Sequence, residues 1–289
     1  MKDNLTWEET IQYIRTQADF KELVEKAYFD ANLELNVSRF KNSLEFKETE
    51  AIIKTFAPKA KTILDVGCGN GISAINFSLK NYRVTAVEPD SSKTVGAGSI
   101  RSLKKTLNLD NIEIFEDFAE NIQFESNSFD VVYIRQAMHH ANNLNKFIEE
   151  CARVLKPNGL LLTIRDHVIL NDKDKAWFLE KHPLHKYYGG ENAYTSEAYK
   201  QAITNTGCKI IKELKHYDSV INYFPATKKE IDAEVLKKIE KQKEKLQKKL
   251  GFFAHIPLVW WLYKQFSGFN PLDENQIAGR MYSYIAIKK

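Results

Sequence analysis

Three glycines at alternate positions, Gly67, Gly69 and Gly71, follow the short apolar run Ile63-Leu-Asp-Val66. A run of that length around one acid reads as a buried parallel strand rather than a helix. The glycines make a tight turn through backbone angles that other residues reach only with strain. Ile72 to Leu79 carry helical periodicity, so bare amide N–H groups and a helix N-terminus face whatever lies above the turn. That is the chemistry of a nucleotide pocket. The dinucleotide pattern Gly-x-Gly-x-x-Gly needs its third glycine where this chain has Ile72, and here that glycine comes one residue early. The spacing argues against NAD. A second set of residues could move protons: His139-His140, Arg165-Asp166-His167 and His182-Pro-Leu-His185. Histidine titrates near neutrality, and an unactivated hydroxyl needs a general base where an amine needs only to be unprotonated. His140 and His167 are the candidate bases, and a plain hydrogen-bonding role is the alternative for each. The spacing matches no recognised metal-ligand pattern and no nearby cysteine completes one, so no metal is expected.

Alternating strands and helices must position these groups. Strands are expected at 62–67, 82–88, 112–115, 129–134 and 160–166, with helices at 71–80, 92–107 and 143–155. Asp90 or Ser91 is the expected cap of the second of these helices, and Pro157-Asn-Gly159 is expected to break the chain before strand five. Right-handed crossovers then put helices on both faces of one sheet, and ligands collect at the carboxyl ends of strands one, two and four. The glycine turn, Glu88 and His139-His140 all fall on that rim. Beyond residue 170 a helix at 194–206, a strand at 208–217 and a closing strand at 281–287 are expected. The segment between the last two strands is far longer than a hairpin loop. Upstream, Thr6 and Glu9 have capping-box spacing and open a helix to about Ala18, followed by an amphipathic helix from Phe20 to about Asp30. Tyr28, Arg39, Phe40 and Ser43 could line the roof of a pocket, or Tyr28 and Phe40 could be core aromatics.

Taken with its surroundings, Asp65-Val-Gly-Cys-Gly-Asn-Gly71 resembles the first motif of the class I S-adenosylmethionine (SAM) methyltransferases, with a methyltransferase type 11-like domain. Four later stretches match in order: Val84-Thr-Ala-Val-Glu88-Pro-Asp90, Glu116-Asp-Phe-Ala-Glu-Asn-Ile122, Ser128-Phe-Asp-Val-Val-Tyr133 and Arg153-Val-Leu-Lys-Pro-Asn-Gly159. The likeness covers roughly residues 45 to 170. It implies a doubly wound, Rossmann-like α/β fold: a seven-stranded, mostly parallel sheet whose last two strands pair antiparallel at its far edge. The division implied is an N-terminal helical cover at 1–50, a SAM-binding domain at 51–218 and 279–289, and a helical lid insertion at 219–278. SAM is the implied cofactor and S-adenosylhomocysteine its product. The implied cofactor residues are Asp65, Gly67, Cys68, Gly69, Glu88, Pro89, Asp117, Phe118, Ala119, Arg135 and Gln136. Glu88, 17 residues beyond Gly71, would accept from both ribose hydroxyls; otherwise it is a surface-strand glutamate. Asp65 would orient the turn or the methionine amino group, or merely cap backbone N–H groups. Phe118 would stack on the adenine, with Asp117 beside the base and the Ala119 N–H facing the ring, or Phe118 would plug the core. Arg135 and Gln136 would pass the methionine half. Motifs from strand five onward, among them Gly189-Gly-Glu191 and Asn222-Tyr-Phe-Pro225, are similar to those of methyltransferases linked to cell-surface saccharides.

Composition sets outer limits. With 43% hydrophobic and 28% charged residues, the 289-residue chain reads as one large α/β domain with an appendage. Cys68, Cys151 and Cys208 are too scattered for a disulfide framework, which suits a reducing cytosol, and the first residues lack the apolar core of a signal peptide. Residues 228–250 hold nine lysines and five acids, a surplus of four that equals the net charge of the whole chain. No broad basic face for nucleic acid is indicated elsewhere. The aromatic run Phe252 to Tyr263 is too short to span a bilayer. Residues 228–266 are expected either to close over the domain as a lid or to touch an anionic membrane surface, making the chain cytoplasmic and peripheral to the inner membrane surface. The expected acceptor is a small or lipid-linked molecule, a saccharide hydroxyl first. A quinone or membrane lipid is the second reading, and a SAM-binding protein without turnover the third. Oligomeric state is left open.

Overall fold

The computed structural model describes residues 5–289, so the first four residues of the expected 1–50 cover lie outside the described residues. Strands β1 (Thr62–Val66), β2 (Arg83–Val87), β3 (Ile112–Phe115), β4 (Phe129–Arg135), β5 (Leu155–Ile169), β7 (Cys208–Leu214) and β8 (Met281–Lys288) form one sheet in the order β3-β2-β1-β4-β5-β8-β7. The first five run parallel, and β8 is antiparallel to both β5 and β7. This is the expected doubly wound sheet, with one addition: the two-residue β6 (Tyr194–Thr195) pairs with the end of β5.

The near-continuous apolar runs of the central strands follow from burial on both faces. In β4, Val131 and Tyr133 pack against Phe40, Phe46 and Phe77 on one side. Val132 and Ile134 meet Ile148, Cys151 and Ile203 on the other. The covering helices are α3 (Leu33–Asn42), α4 (Leu44–Phe56), α5 (Ile72–Leu79) and α6 (Ala97–Thr106) on the first face, with α7 (Leu144–Val154) and α10 (Ser196–Asn205) on the second. All three cysteines are buried and free.

Several boundaries differ from expectation for identifiable reasons. The helix expected from Ser92 begins only at Ala97, because the Ala97 N–H donates to the Asp90 carbonyl at 2.7 Å and folds the intervening residues into a loop. Pro157-Asn-Gly159 does not end the chain's extended course. It forms a bulge, where pairing jumps from Phe129–Leu155 to Val131–Leu160 and Asn158 takes φ 61°. Upstream, α1 (Trp7–Arg15) starts on the expected Thr6–Glu9 capping box, and far downstream α12 (Lys228–Leu250) starts on a second, Thr227–Glu230. The amphipathic stretch after Phe20 is helical only over α2 (Lys21–Lys26), and the segment before the sheet, not assigned from the sequence, is the helix pair α3 and α4.

The insertion is helical. After α12, Gly251–His255 is a 3-10 turn and α13 is Pro257–Phe266. These helices touch each other: Lys243 Nζ of α12 lies 5.4 Å from the Trp260 ring centre of α13, and the Gln242 side-chain amide donates to the Tyr263 hydroxyl. Within α12 only Ile231 and Leu246 are buried.

Candidate active site

A cavity of about 790 Å³ opens where β1, β2 and β4 end. At one end lies the glycine turn, with φ of 65° at Gly67, 54° at Gly69 and 80° at Gly71. A Cβ on Gly67 would sit 2.6 Å from the Ala137 Cβ, so that position needs glycine for space as well as for angle. Glu88 leaves β2 beside this turn, buried, its Oε2 accepting from the Gly69 N–H at 2.7 Å and its Oε1 from the Asp90 N–H at 3.0 Å. Burial pushes its carboxyl up to about 7, although both N–H bonds pull the other way. Gly67, Cys68, Gly69, Glu88 and Pro89 all border the cavity. The Cys68 thiol is buried against the Val87 carbonyl, and burial pushes its pKa well up.

Asp65 sits elsewhere. It is fully buried under the turn, does not wall the cavity, and accepts from the Ser73 hydroxyl at 2.5 Å, joining β1 to the first turn of α5. Burial raises its carboxyl to about 7. Asp117, Phe118 and Ala119 form the opposite wall. Phe118 is 61% exposed, so it does not plug the core, and Asp117 accepts from the Phe118 N–H. Gln136 and Arg135 border the cavity at the end of β4. The Arg135 guanidinium is held by the buried Glu45 through bonds of 2.6 and 3.1 Å. Burial alone would raise the Glu45 carboxyl, but Arg135 and Arg165 outweigh it and hold it low. Arg135 thus ties α4 to the sheet.

The N-terminal cover does wall the cavity, through Trp7, Leu23, Ala27 and Phe29. The residues expected there are placed differently. Tyr28 and Phe40 are core aromatics packed edge-to-face, Arg39 pairs with Asp30, and Ser43 caps α4. The expected lid is corrected as well. Among the described residues the cavity takes walls from the roots of the insertion, Asn222–Pro225 and Ala278, and none from 228–266.

The other end of the cavity is a cluster of histidines and carboxylates. His139, buried in a short 3-10 turn after β4, has Nδ1 3.0 Å from Asp166 Oδ1 and Nε2 3.6 Å from Glu191 Oε2. Burial lowers its pKa, but the two carboxylates outweigh that and take it to about 9. His167 is buried beside it, rings 4.9 Å apart, with Nδ1 2.9 Å from the Gly279 carbonyl. His140 is open to the cavity, with Nδ1 3.1 Å from the Gly190 carbonyl. Because a carbonyl only accepts, Nδ1 carries the proton in both His140 and His167, leaving the lone pair on Nε2. The crowded walls and the neighbouring His139 keep both rings neutral, lowering the His140 pKa to about 4. His182 Nε2 lies 3.6 Å from Glu191 Oε1, which also receives the Tyr188 hydroxyl. Both expected bases therefore reach this end. Asp166 and His182 stand among the proton-moving candidates that the sequence singles out, and Glu191 only within the Gly189-Gly-Glu191 stretch. Their meeting around His139 carries no sequence signal, because the loops that bring them together have no periodic pattern.

Residues 64–163 match the family described as Methyltransferase domain. The chain is 30% identical over 141 residues to an uncharacterised methyltransferase (YcgJ) of Bacillus subtilis, covering 47% of this chain and 54% of that one. It is 35% identical over 121 residues to the ubiquinone/menaquinone biosynthesis C-methyltransferase of Brucella canis, covering 40% of this chain and 44% of that one. The chain thus spans about half the length of the curated relatives it matches. Among solved structures, a putative sarcosine dimethylglycine methyltransferase from Galdieria sulphuraria superposes with TM-score 0.54 at 18% identity, covering 89% of this chain and 87% of that one. At that identity the likeness speaks for the fold.

Proposed function

We propose that this chain, a member of the class I SAM-dependent methyltransferases, moves a methyl group from SAM to an oxygen of a small or lipid-linked acceptor, with a saccharide hydroxyl as the first acceptor class. One observation carries the reading: a single cavity joins the glycine turn and Glu88 to the His139–Asp166–Glu191 cluster. The glycine end fits an adenosyl ligand. Gly67 has no room for a side chain, and Glu88 offers an acceptor-only group beside a bare amide, which suits a vicinal diol.

When bound, SAM supplies an already activated methyl on a positively charged sulfur, which leaves as the neutral thioether S-adenosylhomocysteine. The chain's own residues then hold, orient and exclude water. Glu88 accepts from the ribose hydroxyls, and the exposed face of Phe118 offers a stacking surface for the base. Arg135 and Gln136 border the methionine half. At the acceptor end His140 Nε2 takes the hydroxyl proton, and the charged His139 orients the acceptor from its place between two carboxylates. Trp7, Phe29 and Phe178 close the cavity with apolar surface.

A quinone precursor, with a ring carbon as the acceptor atom, is the second acceptor class, supported by the name of the Brucella canis C-methyltransferase. For such a lipid-soluble acceptor, residues 228–266 would serve as a peripheral membrane contact, since Phe252, Phe253, Trp261 and Phe266 are exposed beside a lysine-rich helix. No helix of the described residues is long and apolar enough to cross a membrane. The test is to incubate methyl-labelled SAM with chain and cell extract and fractionate the label. Label in saccharide, free or released from lipid by mild acid, supports the first class, and label that stays with a quinone-type lipid after that treatment moves the reading to the second. S-adenosylhomocysteine binding with no labelled product overturns both in favour of SAM binding without turnover.

A further inference from the structure

We propose that His139, His167 and Glu191 form a binding site for one divalent transition-metal ion of the zinc type. The three side chains are buried, and one donor atom from each lies within 4.8 Å of the others. An ion with bonds of about 2.1 Å spaces its ligands about 3–3.5 Å apart, so the set closes on a cation through side-chain shifts of about 1 Å. His139 Nε2 and Glu191 Oε2 are already 3.6 Å apart, which is too long for a hydrogen bond and near ligand–ligand spacing.

Two further observations point to a cation. The first is the outer shell. Metal-binding histidines commonly donate their second ring N–H to a carboxylate or a backbone carbonyl, which fixes the tautomer and frees the other nitrogen. Both arrangements are present: His139 Nδ1 lies against Asp166 and His167 Nδ1 against the Gly279 carbonyl. The second is an orphan atom. Glu191 is 9% exposed, and its Oε2 has no hydrogen-bond partner among the described residues. Its nearest charged neighbour is the His139 ring at 3.6 Å, and a cation at the triad would displace the Nε2 proton and bond both atoms directly. His182 is a candidate fourth ligand, with Nε2 3.6 Å from Glu191 Oε1. Two imidazoles and one carboxylate suit zinc or its first-row neighbours rather than magnesium or calcium, which prefer all-oxygen sets.

The triad borders the cavity, so an ion there keeps a position open for an acceptor oxygen and polarises it. That role rests on the methyl transfer proposed above; the ion site itself rests on these side chains alone. The earlier expectation of no metal came from sequence spacing, which cannot see ligands 24 residues apart, from His167 to Glu191, closing across a cavity.

The test uses the full chain, stripped with a chelator and titrated with Zn²⁺ in equilibrium dialysis, with Co²⁺ as a visible-absorption probe. One equivalent of Zn²⁺ and a Co²⁺ spectrum are expected. Glu191→Gln and His167→Gln should each weaken Zn²⁺ binding tenfold or more. Asp166→Asn, outside the coordination sphere, should weaken it about tenfold through His139, and His255→Gln, remote from the site, should leave it unchanged. Calorimetry with S-adenosylhomocysteine on the same proteins shows that each variant is folded. Failure to take up an equivalent of Zn²⁺, or uptake indifferent to Glu191, His167 and Asp166, overturns the site. Zn²⁺ binding without S-adenosylhomocysteine binding would instead keep the metal site and overturn the methyltransferase reading.

Discussion

At one end of the cavity, Gly67, Gly69 and Glu88 come from a single strand–turn–helix–strand unit within residues 62–88, and their contacts are mostly backbone N–H groups. At the other end, His139, Asp166, His182 and Glu191 come from separate places along the chain, and their contacts are between side chains. The first end is local and the second is tertiary. A local site tolerates changes in the rest of the molecule but not in its own few residues. A tertiary site depends on partners that hold one another, so removing one releases the rest. The two ends should therefore fail separately.

The largest effect is expected at the tertiary end. Asp166→Asn takes away the carboxylate that holds the His139 ring, and methyl transfer to the acceptor identified by labelling should fall about 100-fold or more. S-adenosylhomocysteine affinity should stay within about twofold, read by calorimetry. A parallel loss of both would show that the two ends are one unit.

Next in size is Glu88→Ala, which should weaken S-adenosylhomocysteine binding by about 1–3 kcal/mol, roughly 5- to 150-fold, because the ribose loses its charge-assisted acceptor. An unchanged dissociation constant would remove Glu88 from the donor site. A smaller, graded effect follows from its titration. The Glu88 carboxyl is raised to about 7 by burial, and the ribose hydroxyls need it as carboxylate. Below pH 7 a proton must leave before binding, so affinity should fall about tenfold from pH 8 to pH 6. Glu88→Gln should flatten that profile, whereas a slope retained in the variant would assign the titration to another group.

The same contrast explains what was legible in the sequence. The parallel strands, the glycine turn and Glu88 could be read because each is encoded within a few residues: an apolar run, glycines at alternate positions, an acid at a strand end. His140 and His167 could be placed on the rim because strand ends are predictable. Their partners could not. Glu191 reaches His139 only after β5, α8 (Asp172–Lys181) and α9 (His185–Tyr188) have turned the chain back over the cavity, and nothing periodic marks that return. Tyr28 and Phe40 could not be told from pocket residues, since an apolar face looks alike whether it meets a core or a ligand. Asp65 was legible as part of a motif, yet its side chain turns under the turn toward Ser73.

The smallest effect on either end is expected from the insertion, and this makes it the sharpest control on the comparison. The N-terminal cover and residues 228–266 both stand outside the sheet, but only the cover supplies cavity walls. Trp261→Ser combined with Phe266→Ser removes two apolar side chains that are 52% and 84% exposed, so melting should shift little and S-adenosylhomocysteine affinity should stay within about twofold. If this face meets an anionic bilayer, the parent chain should float with phosphatidylserine-containing vesicles at low salt, and added salt should release it as the lysines of α12 are screened. The double variant should lose flotation even at low salt, because charge attraction without buried aromatic area gives only weak adsorption. Flotation retained in the variant would mean that the lysines act alone. A parent chain that never floats, with S-adenosylhomocysteine affinity altered in the variant, would return the insertion to the cavity as a lid.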